Sequence, residues 1–166
     1  SRYNSWTAPL FSWTRRRNGT MAFSSWISES RTTRTRLANS GLPAPRFNLL
    51  TVSDDPEQAA RDSFYPVVLK PLALSASRGV IRADDPAQFV SAFRRIGVIL
   101  EDADIRSDAA SHILVEEYVP GNEVALEGLL DDGRLTVLAL FDKPEPLEGP
   151  YSEETIYVTP SRLPAD

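Results

Sequence analysis

The chain has 166 residues, 42% of them hydrophobic and 25% charged, with a formal net charge of −5. That much apolar material builds one core and excludes wholesale disorder. Cysteine is absent and His112 is the single histidine, which excludes disulfide frameworks, thiolate metal sites and histidine-rich metal centres. A metal here would have to be a hard cation held by oxygens, such as magnesium arriving with phosphate.

The charge is uneven. Residues 1–50 hold eight basic residues against one acid, Glu29, for a net +7, whereas residues 51–166 carry −12. No run is long and apolar enough to span a bilayer, and no continuous apolar segment near the start marks a secretory signal. A cytoplasmic location with no membrane partner is expected. The chain starts at Ser1 and Met21 is its only methionine, as in a fragment or a processed chain.

Residues 1–28 contain all three tryptophans, Trp6, Trp13 and Trp26, and the run Arg15-Arg16-Arg17, with no helix or strand period. Arginines meet phosphates and aromatics stack on bases, so a nucleic-acid arm is one reading. The favoured reading is a disordered or foreign leader, with nucleic acid not expected as a partner. Residues 28–39 can form a short helix ending at Gly41, followed by the stiff exit Leu42-Pro43-Ala44-Pro45. Residues 46–52 read as a strand. Asp54-Asp55-Pro56-Glu57 then opens a helix with a capping acid, an early proline and acids that favour the helix dipole.

Tyr65-Pro66 punctuates the chain, and Val67-Val68-Leu69 is a short apolar run bounded by Lys70-Pro71, which fits an interior strand. Residues 72–79 form a loop, and Val80-Ile81-Arg82 returns as a strand. Asp84-Asp85-Pro86 repeats the acid–proline helix start. Phe89, Phe93 and Ile96 follow at helical spacing, with Gly97 expected near the helix end. Residues 101–111 read as a surface loop or frayed helix. Residues 113–118 are the next strand, Pro120-Gly121 a turn, and residues 123–130 another strand. Asp131-Asp132-Gly133 is a hairpin signal before a returning strand at 135–141. Residues 144–150 read as a loop, and residues 155–158 as a last short strand. The order predicts an α+β layer arrangement, not a regular alternation around a parallel sheet.

Two stretches carry candidate chemistry. Lys70 ends a strand beside Ser75-Ala76-Ser77-Arg78-Gly79, a loop of hydroxyls, small side chains and one glycine. A lysine there meets a phosphate as a point charge, and such a loop offers backbone N–H groups. The plain reading of Lys70 alone is a lysine reaching from a strand end to water. Glu116 and Glu117 end the strand 113–118, and alternation sends them to opposite faces, so at most one faces a cleft. An acid at this point can accept from an adenine amino group, and Glu123 beyond the turn can take ribose hydroxyls. Lys143 ends the returning strand, where it can face the same phosphates as Lys70. Each acid or lysine taken singly also fits a solvated surface charge.

The stretch 65–71, the serine loop ending Arg78-Gly79-Val80, Leu114-Val115-Glu116-Glu117-Tyr118-Val119-Pro120-Gly121 with Glu123, and Asp142-Lys143 together resemble an ATP-grasp ligase. The likeness is to the carboxylate–amine ligase, biotin carboxylase-like and carbamoyl-phosphate-synthase-like branch, and it runs from about Glu29 onward. The resemblance implies an incomplete ATP-grasp fold. Residues 29–60 would be a linker helix and strand, residues 61–144 the small subdomain of antiparallel sheet and flanking helices, and residues 145–166 the start of a truncated second subdomain.

It also implies a set of roles. Lys70 would hold the α/β-phosphates, and Ser75, Ala76, Ser77, Arg78 and Gly79 would form the loop over the β/γ-phosphates. Glu116 would meet the adenine amino group, with the Glu117 carbonyl and the Val119 amide completing the hinge. Glu123 would bind ribose, and Lys143 would assist at the phosphates. The implied ligands are ATP and magnesium, with a small carboxylate and a nucleophile as the parent's substrates. The implied activity is formation of a carbon–nitrogen bond through an acyl phosphate. The sequence departs from the family pattern at Ser30-Arg31, where the family has a lysine. The family's magnesium-holding carboxylates and asparagine fall beyond Asp166, so this chain alone is expected to lack turnover. The rival expectation is a non-catalytic nucleotide-binding or interaction module with a basic N-terminal arm.

Overall fold

The apolar run at residues 67–69 becomes an inner strand because it has neighbours on both sides to satisfy its backbone. In the computed structural model, which describes residues 11–15, 21–24, 45–74, 77–102, 108–131, 134–144 and 156–163, β4 (Val67–Pro71) lies between β6 (His112–Glu117) and β5 (Ile81–Ala83). β3 (Phe47–Thr51) closes the other edge, for the order β3-β6-β4-β5 with every pairing antiparallel.

Two helices cover one face of this sheet. Helix α1 (Pro56–Arg61) starts where Asp55 accepts hydrogen bonds from the amides of Glu57 and Gln58, at 2.9 and 3.3 Å. Helix α2 (Pro86–Asp102) starts the same way, with the Gln88 amide donating to Asp85 at 2.9 Å and the Gln88 side chain accepting from the Asp84 amide at 3.0 Å. Both starts follow the acid–proline pattern, because a side-chain acceptor satisfies an orphan first-turn amide and proline has no amide to lose. The core is the α2 stripe Phe89, Ala92, Phe93, Ile96 and Leu100 set against Val67, Leu69, Ile113 and Val115. Phe89 and Phe93 stack at 6.4 Å, and Tyr65 meets Phe89 edge-on at 6.3 Å while its hydroxyl donates to the Ala60 carbonyl. Burial raises the Tyr65 pKa above its ordinary value of 10.0, and the nearby Asp85 charge adds to the effect.

Gly97 does not end α2. The helix continues to Asp102, because Ile99 and Leu100 still pack on the core. Burying those side chains outweighs the roughly 1 kcal/mol that glycine costs a helix. Of the segment expected as a loop or frayed helix, residues 101 and 102 belong to α2 and Asp108–Ser111 form a 3₁₀ turn.

A second sheet takes the remaining strands. β7 (Asn122–Asp131) pairs antiparallel with β8 (Arg134–Asp142), with a register shift at Glu127/Gly128. The register Asp131↔Arg134 places the hairpin at the Asp-Asp-Gly signal. On its other edge β7 pairs with β1 (Phe11–Arg15), which pairs with β2 (Met21–Ser24), for the order β2-β1-β7-β8. These nine residues of β1 and β2 are strands although the sequence shows no strand period there, and at these positions the expectation of a disordered leader does not hold. Their partner is remote in sequence, and the open edge of β7 supplies the hydrogen bonds. The single run of antiparallel strands expected after α2 is instead divided between two sheets at the Pro120-Gly121 turn. The last short strand contracts to one bridge, Asp142↔Val158. The helix expected at 28–39 and most of the 144–150 loop lie outside the described residues. Among the described residues, no helix is long and apolar enough to cross a membrane.

Candidate functional site

The register of the first sheet decides which polar side chains meet. Val68 faces Glu116, Lys70 faces Leu114, and Arg82 faces Val68. Val67, Leu69, Ile113 and Val115 point to the helices. Alternation therefore sends Val68, Lys70, Arg82, Leu114 and Glu116 to the opposite face. On that face the Lys70 ammonium pairs with the Glu116 carboxylate, whose residue is only 3% exposed. A charge so enclosed persists because it is paired.

Glu117 leaves on the other side of the strand. Its carboxylate accepts from the Arg46 side chain and backbone amide, both at 3.3 Å, and the Arg46 guanidinium lies 4.2 Å from the Phe64 ring centre. The backbone at the end of β6 is tied down by Glu117 donating to the Arg46 carbonyl at 2.9 Å and Tyr118 donating to the Pro66 carbonyl at 3.1 Å. Val119 follows, half-buried. The candidate hinge thus begins from a fixed strand end.

A second pair lies beyond the hinge. Glu123 on β7 meets Lys143, just past β8, with Nζ–Oε1 at 2.7 Å and both side chains 9% exposed. The Lys143 amide also reaches the Glu123 carbonyl at 3.4 Å. An ammonium has three donors, so each lysine can hold its glutamate and still meet an anion.

In the loop between β4 and β5, residues 72–74 and 77–80 are described, and Ser75 and Ala76 lie outside the described residues. Ser77 has φ 58° and Gly79 has φ 76°, both left-handed. The Val80 amide donates to the Ser77 carbonyl at 3.2 Å, closing a tight turn. A Cβ at Gly79 would come within 3.1 Å of Pro71 Cγ, so glycine suits both the backbone and the space. Arg78 is exposed at the turn.

Sequence reasoning overlooked two features. Arg82 lies 4.0 Å from the Tyr118 ring centre and pairs with Asp84 at 2.8 Å, so it reaches from β5 across β4 toward the hinge. The alternation in Ile81-Arg82-Ala83, with Arg82 between two buried residues, was the available signal. The second feature is compositional. The chain has 18 lysines and arginines, yet Lys70 and Lys143 are its only lysines. Both sit in shielded lysine–glutamate pairs, at positions where a compact point charge serves better than a planar fork. These donors suit a phosphate chain. Among the described residues no group of three or more acidic or histidine side chains gathers to hold a cation.

The described frame is antiparallel α+β, with one lysine–glutamate pair before residues 118–121 and one after. The chain belongs to the ATP-grasp family, whose domain model matches residues 63–166. Among its relatives, cyanophycin synthetase of Synechocystis sp. is 32% identical over 108 residues, which cover 64% of this chain and 11% of that protein. A D-alanine–D-alanine ligase of Azoarcus sp. is 26% identical over 100 residues, covering 60% of this chain and 29% of that one. The crystal structure of L-amino acid ligase from Bacillus licheniformis superposes with a TM-score of 0.65 at 29% identity, over 80% of this chain and 31% of that one. The chain therefore spans less than a third of the length of each of these three proteins.

Proposed function

We propose that this chain is the ATP-holding part of an ATP-dependent ligase that activates a carboxylate as an acyl phosphate for attack by an amine or similar nucleophile. The observation that carries the reading is the pairing of the chain's only two lysines, Lys70 and Lys143, with the shielded glutamates Glu116 and Glu123, which stand on the strands flanking the 118–121 hinge. In this reading the Glu116 carboxylate accepts from the adenine amino group, and the backbone at Glu117 and Val119 reads the ring edge. Glu123 takes the ribose hydroxyls. Lys70 and Lys143 neutralise the phosphates, with residues 75–79 lying over them.

The chemistry is a phosphoryl transfer followed by an acyl transfer. A substrate carboxylate oxygen bonds to the γ-phosphorus, the bond to the β–γ bridging oxygen breaks, and ADP leaves with that electron pair. The nucleophile then bonds to the acyl carbon and expels inorganic phosphate, losing its proton to solvent or a base. The residues named here act by positioning and charge neutralisation, which is most of what phosphoryl transfer asks of a protein. The names of the relatives, a cyanophycin synthetase, a D-alanine–D-alanine ligase and an L-amino acid ligase, support amino acids or their polymers as the substrate class.

Calorimetric titration of the chain with ADP, and with ATP plus magnesium, tests the reading. Saturable binding is expected, weakened about 10- to 100-fold in Lys70→Ala, as for loss of a hydrogen bond to a charged group. Equal affinity of the folded Lys70→Ala chain and the parent chain would remove the reading.

A further inference from the structure

The Lys143–Glu123 pair is not held by its own sheet alone. A segment at residues 156–163 returns to the end of β8, and one residue makes most of its polar contacts. The Asp142 amide donates to the Val158 carbonyl at 2.8 Å, and the Val158 amide donates back to the Asp142 carbonyl at 3.0 Å. The Asp142 carboxylate accepts from the Arg162 amide at 2.8 Å and from the Ser161 hydroxyl. The same hydroxyl oxygen accepts from the Leu163 amide at 3.2 Å, which curls the segment's end around the carboxylate. Four hydrogen bonds therefore run from one residue to both ends of the segment.

The residues beside Asp142 show what this fastening places. Phe141, on one side, meets the Tyr157 ring edge-on at 6.3 Å. Lys143, on the other, has its ammonium 5.3 Å from the centre of that ring while pairing with Glu123. Tyr157 is thus positioned over the ammonium by its neighbour Phe141 and by the backbone bridge at Val158. The ring's negative face and the Glu123 carboxylate both attract the ammonium to this spot. The Arg162 amide first, and then the Ser161 hydroxyl, hold the Asp142 pKa below its ordinary value of 3.8, so the carboxylate is ionised at neutral pH.

We propose that Asp142 is a positioning residue for Lys143: it clamps the 156–163 segment so that Tyr157 covers the ammonium and fixes it where it can meet an anion. Releasing the clamp uncovers Lys143 and weakens binding of phosphate-bearing ligands without touching contacts to the base or ribose. The role of the anion as nucleotide phosphate rests on the ATP reading above. The clamp itself does not.

The test uses the fact that the chain has two lysines. The full chain is treated briefly with an amine-acetylating reagent, and acetylation at Lys70 and Lys143 is counted separately by mass spectrometry. In Asp142→Ala, Lys143 is expected to react several-fold faster than in the parent chain, with Lys70 unchanged. Asp142→Asn keeps an acceptor for the Arg162 amide and is expected to fall between the two. Unchanged Lys143 reactivity in Asp142→Ala overturns the proposal. If both lysines speed up together, that variant has unfolded, and Ser161→Ala, which removes one hydroxyl from the clamp, decides. A rise at Lys143 alone supports the proposal, and no rise overturns it.

The binding arm compares ADP with adenosine. Asp142→Ala is expected to lose about tenfold for ADP and nothing for adenosine, the scale of one charge-assisted contact. Equal losses for both ligands would make Asp142 merely structural and overturn the positioning role. If the parent chain binds neither ligand while the acetylation pattern holds, the ATP reading fails and the clamp stands. If ADP protects both lysines while Asp142→Ala changes nothing, the clamp fails and the ATP reading stands.

Discussion

The two lysine–glutamate pairs share their chemistry and differ in support. Lys70 and Glu116 stand on inner strands whose reverse face is packed against α2, with Val67, Leu69, Ile113 and Val115 beneath them. Lys143 and Glu123 stand at the end of a hairpin where, among the described residues, Val124 and Ala125 are the buried apolar ones. Further along that hairpin Leu129, Val137 and Leu138 are more than half exposed. The first pair is placed by a core, the second by a segment fastened at Asp142. A charge placed by a core is bound up with the fold. A charge placed by a fastened segment can change without it.

The largest expected effect breaks the support of the first pair. Phe89 is fully buried, and Phe89→Ala should cost about 4 kcal/mol in chemical denaturation, as large-to-small core changes do. Nucleotide binding should be lost along with the fold, and a mild loss would mean that α2 is not what sets the strands. The next effect separates the pairs. Lys70→Met leaves the Glu116 carboxylate enclosed without its cation and should cost about 3 kcal/mol, most of it recovered in Lys70→Met/Glu116→Leu. Lys143→Met should cost clearly less, because Glu123 stands at a hairpin end with little buried apolar surface beneath it and can turn toward water. Equal costs would erase the distinction.

Two glycines sharpen the comparison on a smaller scale. Gly79→Ala forces a side chain into left-handed backbone and against Pro71, and should lose about 1–2 kcal/mol. Gly97→Ala lies inside α2 with open space around it and should gain about 0.5–1 kcal/mol. Thermal melts of both variants check the signs. The smallest effect is in acid. The folded pKa of Asp142 lies below its unfolded value, so its stabilisation is complete above about pH 4 and fades as pH falls through the folded pKa. Acetylation of Lys143 cannot report there because amines are protonated, so tyrosine fluorescence of Tyr157→Phe against the parent chain over that window gives the readout.

Much of the first sheet was legible from local pattern. An apolar run of strand length, two acid–proline starts and the stripe Phe89, Phe93, Ile96 each express a rule that acts within a few residues. The alternation at Glu116 and Glu117 was legible for the same reason, and their side chains do go to opposite faces. The extent of α2 past Gly97 was not, because burial of Ile99 and Leu100 depends on a sheet that the helix pattern cannot see.

By itself the sequence determined the inner strands of the first sheet, the two acid–proline helix starts and the candidate lysines and acids, since these rest on short-range periodicity, capping and residue chemistry. Only the tertiary structure decided that the strands divide into two sheets, that residues 11–15 and 21–24 add to the edge of β7, and which lysine meets which glutamate. Pairing across strands depends on register between segments tens of residues apart. Shifting a strand by a single residue would turn Lys70 toward the helices, and nothing within the strand itself states that register.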